Sequence, residues 1–183
     1  MHSPIYAMYD MSMALDALIL GLLDLRPMTG YDLKKTFDGT VAHFWSADQS
    51  QIYRTLARLE QEGLVDVRVI PQPGKPDRRE HRLTDGGQAR LGEWLRSPLP
   101  DEKAREPFVG RLFLVGREND PELVRALLAE RRAAARHRLA ALEAIPTATD
   151  GDLAARLRAA TLRKGILDHR AELAWLDELE AAL

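Results

Sequence analysis

The sequence predicts a mainly α-helical protein that contains one small β-hairpin. Residues 51–87 run in the order helix, Gly-Leu stop, apolar strand, proline-rich basic loop, basic strand and new helix start. Capped helices precede this stretch, and long amphipathic helices follow it. The order is typical of an N-terminal winged helix-turn-helix domain with a C-terminal helical dimerisation domain. We expect an extension over residues 1–13 and the two domains over residues 14–98 and 99–183.

The composition is that of a soluble globular protein. Of 183 residues, 45% are hydrophobic and 30% are charged, and there is no cysteine, which excludes disulfides and thiolate metal sites. No apolar run reaches about 18 residues, and the first residues lack the basic start of a signal peptide. We therefore expect a cytoplasmic protein that has no membrane span and no bound cofactor.

Positive charge is concentrated in one segment, although the formal net charge is only −2. Between residues 68 and 82 there are five basic and two acidic side chains, a local net charge of +3. This segment contains the loop and the returning strand of the expected hairpin. A cationic surface is therefore predicted there, where it would attract nucleic acid.

Two helices are expected at the start of the first domain. Residues 14–25 have a broad leucine-rich face and end before Pro27, whereas residues 1–12 show no clear period and are expected to be loosely ordered. Thr29 caps the second helix, because Asp32 follows three residues later as in a capping box. The expected core contacts of this helix are Leu33 and Phe37.

The third helix is expected to start at Ser46, with Gln49 three residues later, and to stop at Gly63. At about 100° per residue, its apolar side chains fall within about 60° of arc; these are Ile52, Leu56 and Leu59. The opposite side can meet base edges and phosphates in a DNA groove; its candidates are Ser50, Gln51, Arg54 and Arg58. A solvated helix face is the alternative, and which of the first three reads bases stays open.

Two tyrosines near this face are assigned mainly structural roles. Tyr53 lies at the boundary between the apolar and polar faces, where its ring packs and its hydroxyl reaches towards a phosphate. Tyr31, in the second helix, is expected to pack against the core, with contact to the DNA backbone as the less favoured alternative.

A β-hairpin is expected after the third helix. Valines at positions 65, 67 and 69 alternate with polar residues, residues 71–76 form a proline-rich loop, and residues 79–83 return as the second strand. The cationic side chains of the hairpin are candidates for phosphate or minor-groove contacts, against the alternative of an ordinary charged hairpin; they are Lys75, Arg78 and Arg79. Thr84 caps a fourth helix that ends near Arg96.

The second half is expected to be helical. Pro107 stands at one helix start, and Asp120 followed by Pro121 opens a long helix that ends near Ile145. Thr149 or Asp150 opens a last helix, roughly 45 Å long. Its regularly spaced apolar residues are the expected dimer interface, because one chain cannot cover two long amphipathic helices; they are Leu162, Ile166, Leu173, Leu176 and Leu179.

Several short motifs follow one another in a characteristic order and spacing. They are Leu20-Gly21-Leu22-Leu23, Thr29-Gly30-Tyr31-Asp32-Leu33, Gln51-Ile52-Tyr53-Arg54-Thr55-Leu56, Leu59-Glu60-Gln61-Glu62-Gly63-Leu64 and Arg82-Leu83-Thr84-Asp85-Gly86-Gly87. The second half adds Glu106-Pro107-Phe108, Arg111-Leu112-Phe113 and Ala174-Trp175-Leu176. With these motifs the chain resembles the PadR family of bacterial transcriptional regulators, in its longer subclass, over about residues 14–179.

The resemblance implies a homodimer whose C-terminal helices hold the partner subunit and whose winged helices face a palindromic operator in double-stranded DNA. It also implies a repressor that a small, often aromatic, effector releases, since most members of the family act in this way. The family wing commonly has a tyrosine where this chain has His81. A histidine there can bond a phosphate or titrate near neutral pH, so we include it among the DNA-binding candidates.

The remaining candidates concern an effector pocket and catalysis. Trp45, Trp94 and Trp175 are candidates for an aromatic pocket, although core or interface packing is the favoured interpretation of large aromatic side chains. The histidines show no metal-ligand spacing. The sequence contains no nucleophile elbow, phosphate-binding loop or paired His-Glu zinc signature, so we expect no enzyme.

The sequence thus predicts a homodimeric, sequence-specific DNA-binding transcriptional regulator, and a repressor relieved by a small-molecule effector. The alternative is a dimeric winged-helix module that binds protein without operator DNA, which the near-zero net charge leaves open. Steep salt dependence of DNA binding separates the two, because phosphate contacts release counterions.

Overall fold

The computed structural model describes residues 4–74, 77–99, 106–146 and 151–183, and the chain divides into two units, Met1–Glu102 and Lys103–Leu183. The first unit contains α1 (Pro4–Leu25), β1 (Met28–Thr29), α2 (Gly30–Thr40), α3 (Gln49–Gln61), β2 (Val65–Ile70), β3 (Arg78–Leu83) and α4 (Asp85–Arg96). The second unit contains α5 (Pro107–Val115), a 3-10 turn (Gly116–Glu118), α6 (Pro121–Glu143) and α7 (Leu153–Ala181). This element order confirms the predicted fold class.

The first helix is longer than expected. α1 begins at Pro4 rather than at Ala14, so the prediction that residues 1–12 are loosely ordered is wrong from Pro4 onwards. Proline suits the first helical position, because the N–H that it lacks has no partner there. Residues 5–13 contain no glycine or second proline that would stop the helix.

Three of the predicted N-caps are confirmed. Thr29 Oγ1 accepts a hydrogen bond from Asp32 N at 3.1 Å, and Thr84 Oγ1 accepts one from Gly87 N at 3.0 Å. Asp120 Oδ1 accepts from the backbone N–H groups of the first turn of α6, where Pro121 stands at the first helical position. Each cap satisfies backbone donors that have no partner inside the helix.

Two predicted helix starts need correction. α3 begins at Gln49, not at Ser46, because Asp48 and Gln51 form the capping box: Asp48 Oδ1 accepts from Gln51 N at 2.7 Å, and Gln51 Oε1 accepts from Asp48 N at 2.8 Å. A carboxylate is favoured at this helix end by the helix dipole. α7 begins at Leu153 with Asp152 as its cap, and the expected starts at positions 149 and 150 lie outside the described residues.

A third strand completes the hairpin sheet. β1 pairs with β3 through Met28 and His81, and the strand order is β1-β3-β2, all antiparallel. β1 was not expected, because a strand of two residues is too short to show alternation. It joins the start of α2 to the hairpin, and so positions the hairpin against the helices.

The core of the first unit lies where α1, α2, α3 and the sheet meet. Leu33 and Phe37 are fully buried, as expected, and the predicted inward side of α3 is confirmed. Burial of each large apolar side chain contributes about 1.5–3 kcal/mol. The principal members of the core are Ile19, Leu20, Leu23, Met28, Ile52, Leu56, Leu59 and Val65.

In the second unit, α6 and α7 pack against each other. Arg132 Nη2, in the middle of α6, lies 2.6 Å from Glu180 Oε2 at the end of α7, and Arg170 Nη2, in the middle of α7, lies 2.6 Å from Glu143 Oε1 at the end of α6. The two helices therefore run antiparallel. Within the described residues, no helix combines the length and the apolar character needed to cross a bilayer.

Candidate DNA-binding interface

The outer side of α3 is exposed and carries an arginine that has no partner among the described residues. Ser50, Gln51 and Arg54 are all exposed. Within the described part of the chain, the Arg54 guanidinium makes no hydrogen bond or ion pair. A guanidinium offers five N–H donors in a fork that matches a phosphate or a guanine edge. Arg54 is thus the side chain of α3 that is best placed to bind DNA without first giving up a contact.

Gln51 has a structural function that the sequence analysis assigned to another residue. Its side-chain oxygen accepts from the backbone N–H of Asp48, which completes the capping box of α3. The amide nitrogen of the same side chain keeps both of its hydrogens for other acceptors. Gln51 therefore orients the first turn of α3 and still presents donors outwards.

Arg58 lies on the same side of α3 as Arg54 and its side chain is 39% exposed, but its guanidinium is engaged by carboxylates of the protein. Its guanidinium makes ion pairs with Asp16 of α1 and with Glu62, the latter at 3.0 Å. Asp16 is only 9% exposed; burial raises the pKa of its carboxyl, and Arg58 opposes part of that rise. Arg58 joins α3 to α1, so its guanidinium is not available to DNA in the way that the sequence analysis expected.

Tyr53 is packed against the beginning of α2. A Cβ atom on Gly30 would lie 2.9 Å from two ring carbons of Tyr53, so only glycine permits this approach. Part of the Tyr53 side chain remains exposed. Tyr31 is 70% exposed, and the expectation that it packs against the core is wrong. As the second residue of α2, it follows the buried Gly30 and points outwards.

The hairpin arginines are engaged by carboxylates of the helices. Arg79 Nη2 lies 3.1 Å from both carboxylate oxygens of Glu60 in α3. Arg78 Nη2 lies 3.4 Å from Asp32 Oδ2 in α2 and 3.8 Å from Glu80 Oε1. The pairs with Glu60 and Asp32 hold β3 against the helices, whereas Glu80 belongs to β3 itself. The sequence analysis did not identify any of the three acidic partners. Lys75 lies outside the described residues.

His81 is buried and does not face DNA. It is 8% exposed, and its Nδ1 donates to the Met28 carbonyl oxygen at 3.3 Å. Burial lowers the pKa of the imidazole, which favours the neutral form of His81. The prediction of a phosphate contact at this position is therefore wrong. The alternation of β3 explains the error, since every second side chain of this strand turns towards the core.

One cleft brings several predicted residues together. It has a volume of about 430 Å³ and lies between the start of α2, the side of α3 that carries Tyr53 and Glu60, and the hairpin. Its walls include Tyr31, Tyr53, Glu60, Arg78 and Arg79. The other α3 candidates do not line it. The candidate DNA-binding surface therefore has two parts, which are the first turns of α3 and the cleft beside the hairpin.

The leucines predicted for the dimer interface are oriented into their own subunit. Leu162 and Leu176 are buried, Leu176 completely, and Ile166, Leu173 and Leu179 are half-buried. All five lie on the side of α7 that packs against α6 within the chain. Leu162 and Leu176 therefore offer no surface to a second subunit, contrary to the prediction.

A second apolar side of α7 is exposed, and the sequence analysis missed it. It consists of Leu153, Leu157, Leu167 and Trp175. At about 100° per residue these four fall within about 80° of arc, opposite the buried side. The sequence signal for this side was that apolar residues also occur in α7 at positions outside the row of leucines predicted for the dimer interface. Phe113 and Leu114 of α5 are also exposed in the same unit.

The tryptophans have different surroundings. Trp45 packs against the core of the first unit, and Trp175 makes an edge contact with Phe108 at 6.3 Å between ring centroids. Trp94 lines a smaller cavity of about 190 Å³ between α1 and α4. Trp94 is therefore the candidate that the cavity supports as part of an aromatic pocket.

Comparison with known proteins shows the family to which the chain belongs. Residues 19–93 match the model of the transcriptional regulator PadR-like family, and residues 104–183 match the virulence activator alpha C-term model. The chain is 31% identical to a probable transcriptional regulator of Mycobacterium tuberculosis, over 93% of this chain and 98% of that protein. The chain belongs to the PadR-like family of transcriptional regulators. It is therefore a DNA-binding regulator and not an enzyme.

Further relatives of this PadR-like regulator have been solved as crystal structures. The present chain is 33% identical to the negative transcriptional regulator PadR of Bacillus subtilis, over 63% of this chain and 65% of that protein. The structure of that PadR with operator DNA has a TM-score of 0.76 and 26% identity, covering 93% of this chain and 98% of the other. The Vibrio cholerae virulence activator AphA has a TM-score of 0.71 and 29% identity, covering 92% and 96%.

A structure of B. subtilis PadR also contains p-coumaric acid; its TM-score to the PadR-like regulator is 0.70 at 24% identity, with coverage of 92% and 97%. These neighbours confirm the winged-helix fold with a C-terminal helical unit. The family assignment also favours DNA binding over the protein-binding module that the sequence left open.

Proposed function

We propose that the protein is a homodimeric repressor that binds a palindromic operator and is released from it by a small aromatic effector. Residues 14–98 form the DNA-binding domain, and residues 99–183 form the dimerisation domain. The regulator acts in the cytoplasm, where a bacterial chromosome lies. The observation that carries this proposal is the exposed side of α3, where Arg54 has no partner among the described residues.

In this proposal α3 enters the major groove with its N-terminal turns. Ser50, Gln51 and Arg54 lie on these turns, and their donors match phosphates and base edges. The hairpin lies beside α3 and contacts the backbone through Arg78 and Arg79. A two-fold dimer presents two such units, so the half-sites are expected about 34–36 Å apart.

Arg54→Ala is expected to weaken operator binding by about 1–3 kcal/mol of binding free energy. The free energy of unfolding should not change, because the Arg54 guanidinium contacts no described residue. The measurement is a fluorescence anisotropy titration with DNA from upstream of the protein's own gene, at two salt concentrations and with scrambled competitor. Steep salt dependence is expected for the wild-type protein.

The matched control is Arg58→Ala, four residues along the same helix. Arg58 bridges α3 to Asp16, so this variant is expected to lose stability. A loss of thermal stability in Arg54→Ala would contradict the assignment of Arg54 as the arginine that has no partner among the described residues. Wild-type binding no tighter than to scrambled DNA at every upstream fragment would favour the protein-binding module instead.

The homodimer is proposed to form through the exposed apolar side of α7. The dimer interface predicted from the sequence lay on the opposite side, which α6 covers. Leu157 is 57% exposed although it lies within a long helix, and Leu153, Leu167 and Trp175 share its side. Exposed apolar side chains that share one side of a helix mark an interaction site, and a two-fold dimer would bury them against its own copy.

Leu157→Asp is expected to convert the dimer into a folded monomer, because the interface would have to bury two unpaired carboxylates. Light scattering after size exclusion measures the mass directly. Val69→Asp is the control, since it places the same charge at an exposed apolar position of the hairpin. A Leu157→Asp protein that remains a dimer at low micromolar concentration would contradict this interface.

The cavity beside Trp94 supports the effector part of the proposal. It is lined by Met13, Asp16 and Leu20 of α1 and by Arg90 of α4. An aromatic ring would stack against Trp94, and a carboxylate would pair with Arg90. Asp16 also holds Arg58 of α3. A ligand here could therefore displace α3, provided that it prefers one arrangement of the helix.

A further inference from the structure

The ion pair between Arg79 and Glu60 lies on the surface that is proposed to bind DNA. Both N···O distances from Arg79 Nη2 are 3.1 Å, and the side chains are 57% and 37% exposed. Arg79 extends from the same side of β3 as the buried His81, so it reaches α3 rather than pointing away from the protein. Both residues also line the cleft beside the hairpin.

A phosphate and the Glu60 carboxylate would compete for the same guanidinium. Exposed ion pairs of this kind are weak, with a typical strength of about 0–1 kcal/mol, so DNA can displace Glu60. Displacement leaves a carboxylate near the phosphates, which repels them. Arg54 carries no such restraint. Arg79 therefore adds less to DNA affinity than its charge alone would suggest.

Arg78 has a similar but longer contact with Asp32, at 3.4 Å. Asp32 Oδ2 also accepts from Thr29 Oγ1 at 2.8 Å, within the N-cap of α2. A change at Asp32 would therefore disturb the start of a helix as well as the hairpin. Among the described residues the Glu60 side chain makes hydrogen bonds and an ion pair with Arg79 alone, beside a Coulombic interaction with the buried His81. Its effect is therefore easier to isolate than that of Asp32.

We propose that Glu60 is an affinity-determining residue that competes with DNA phosphates for Arg79 and so lowers sequence-independent binding to DNA. The inference rests on the proposed function, because it requires the hairpin to contact the DNA backbone. It assigns to an acidic side chain of α3 a role in setting DNA affinity, where a simple surface charge would otherwise be assumed.

The experiment uses the full-length protein and a short scrambled duplex, with anisotropy titrations over a series of salt concentrations. Glu60→Gln keeps the size and polarity of the side chain and frees Arg79. It is expected to tighten binding about three- to tenfold and to steepen the slope of log K against log salt by about one per protomer. Thermal melting checks that each variant is folded.

Glu62→Gln is the matched control, because it removes one negative charge from the end of the same helix segment. Glu62 pairs with Arg58 and not with Arg79, so little change in DNA binding is expected. Glu60→Gln is also made in an Arg79→Ala background, where it should have no further effect. This double-mutant cycle isolates the coupling between the two side chains.

Equal tightening by Glu62→Gln would overturn the proposal, since net charge alone would then explain the gain. A gain that persists in the Arg79→Ala background, or weaker binding by Glu60→Gln, would overturn it as well. These outcomes differ from failure of the proposed function. In that case the wild-type protein would bind neither the scrambled duplex nor its upstream DNA at low salt, and the inference would fall with it.

Discussion

Gly87→Ala is expected to destabilise the first unit by about 3 kcal/mol or more, an effect at the upper end of the range for single substitutions. A Cβ atom on Gly87 would lie 2.2 Å from the backbone oxygen of Leu64 and 2.6 Å from Leu83 Cδ1. The same Leu64 oxygen accepts from Thr84 N at 3.2 Å. The contact is with backbone, so relief would require α4 to move away from β2. Chemical denaturation followed by circular dichroism measures the change.

The neighbouring glycine is the control for this substitution. A Cβ atom on Gly86 would meet its nearest atoms at 3.6 and 3.8 Å, which is ordinary contact. Gly86→Ala is expected to be neutral or to stabilise by up to about 1 kcal/mol, since alanine is the better helix former. Similar denaturation midpoints for the two variants would contradict the close approach of α4 to Leu64.

Leu176→Asp is expected to unfold the C-terminal helical unit rather than only separate two subunits. Leu176 is completely buried on the side of α7 that packs against α6. A carboxylate at that position would lose its hydration without gaining a partner, which costs about 4 kcal/mol or more. Loss of helical circular dichroism and a changed emission of Trp175, one residue away, would report the unfolding.

Leu157→Asp is the comparison for Leu176→Asp, because it puts the same charge on the opposite side of the same helix. The Leu157→Asp variant is expected to be a folded monomer, whereas the Leu176→Asp variant is expected to lose the packing of α6 against α7. If Leu176→Asp were instead a well-folded monomer, the interface predicted from the sequence would be correct and the orientation of α7 described above would be wrong.

The errors of the sequence analysis share a cause. His81 was expected to face a phosphate and Arg58 to face DNA, and each is instead engaged inside the protein. Arg58 meets Asp16, 42 residues earlier in the chain. His81 meets Met28, 53 residues earlier. Contacts over such distances depend on how helices and strands pack, and periodicity within one element cannot predict which of several polar residues finds a buried partner.

The last helix, α7, also shows that periodicity within one element does not predict which tertiary partner covers it. Its leucine spacing predicted one apolar side and assigned that side to the dimer. The chain has apolar residues on two sides of α7, and either could have been covered by α6. Only the packed structure decides which side is buried within the subunit and which remains exposed for a second copy.

The sequence by itself determined the features that depend on residues a few positions apart. These are the caps at Thr29, Thr84 and Asp120, the inward side of α3, the alternating strand β2 and the order of elements that predicts a winged helix. Local hydrogen bonds and side-chain periodicity are sufficient for them. The tertiary structure decided the partners of charged and apolar groups. Such partners come from distant segments. That Glu60 holds Arg79, and that no described residue holds Arg54, follows from where those segments meet.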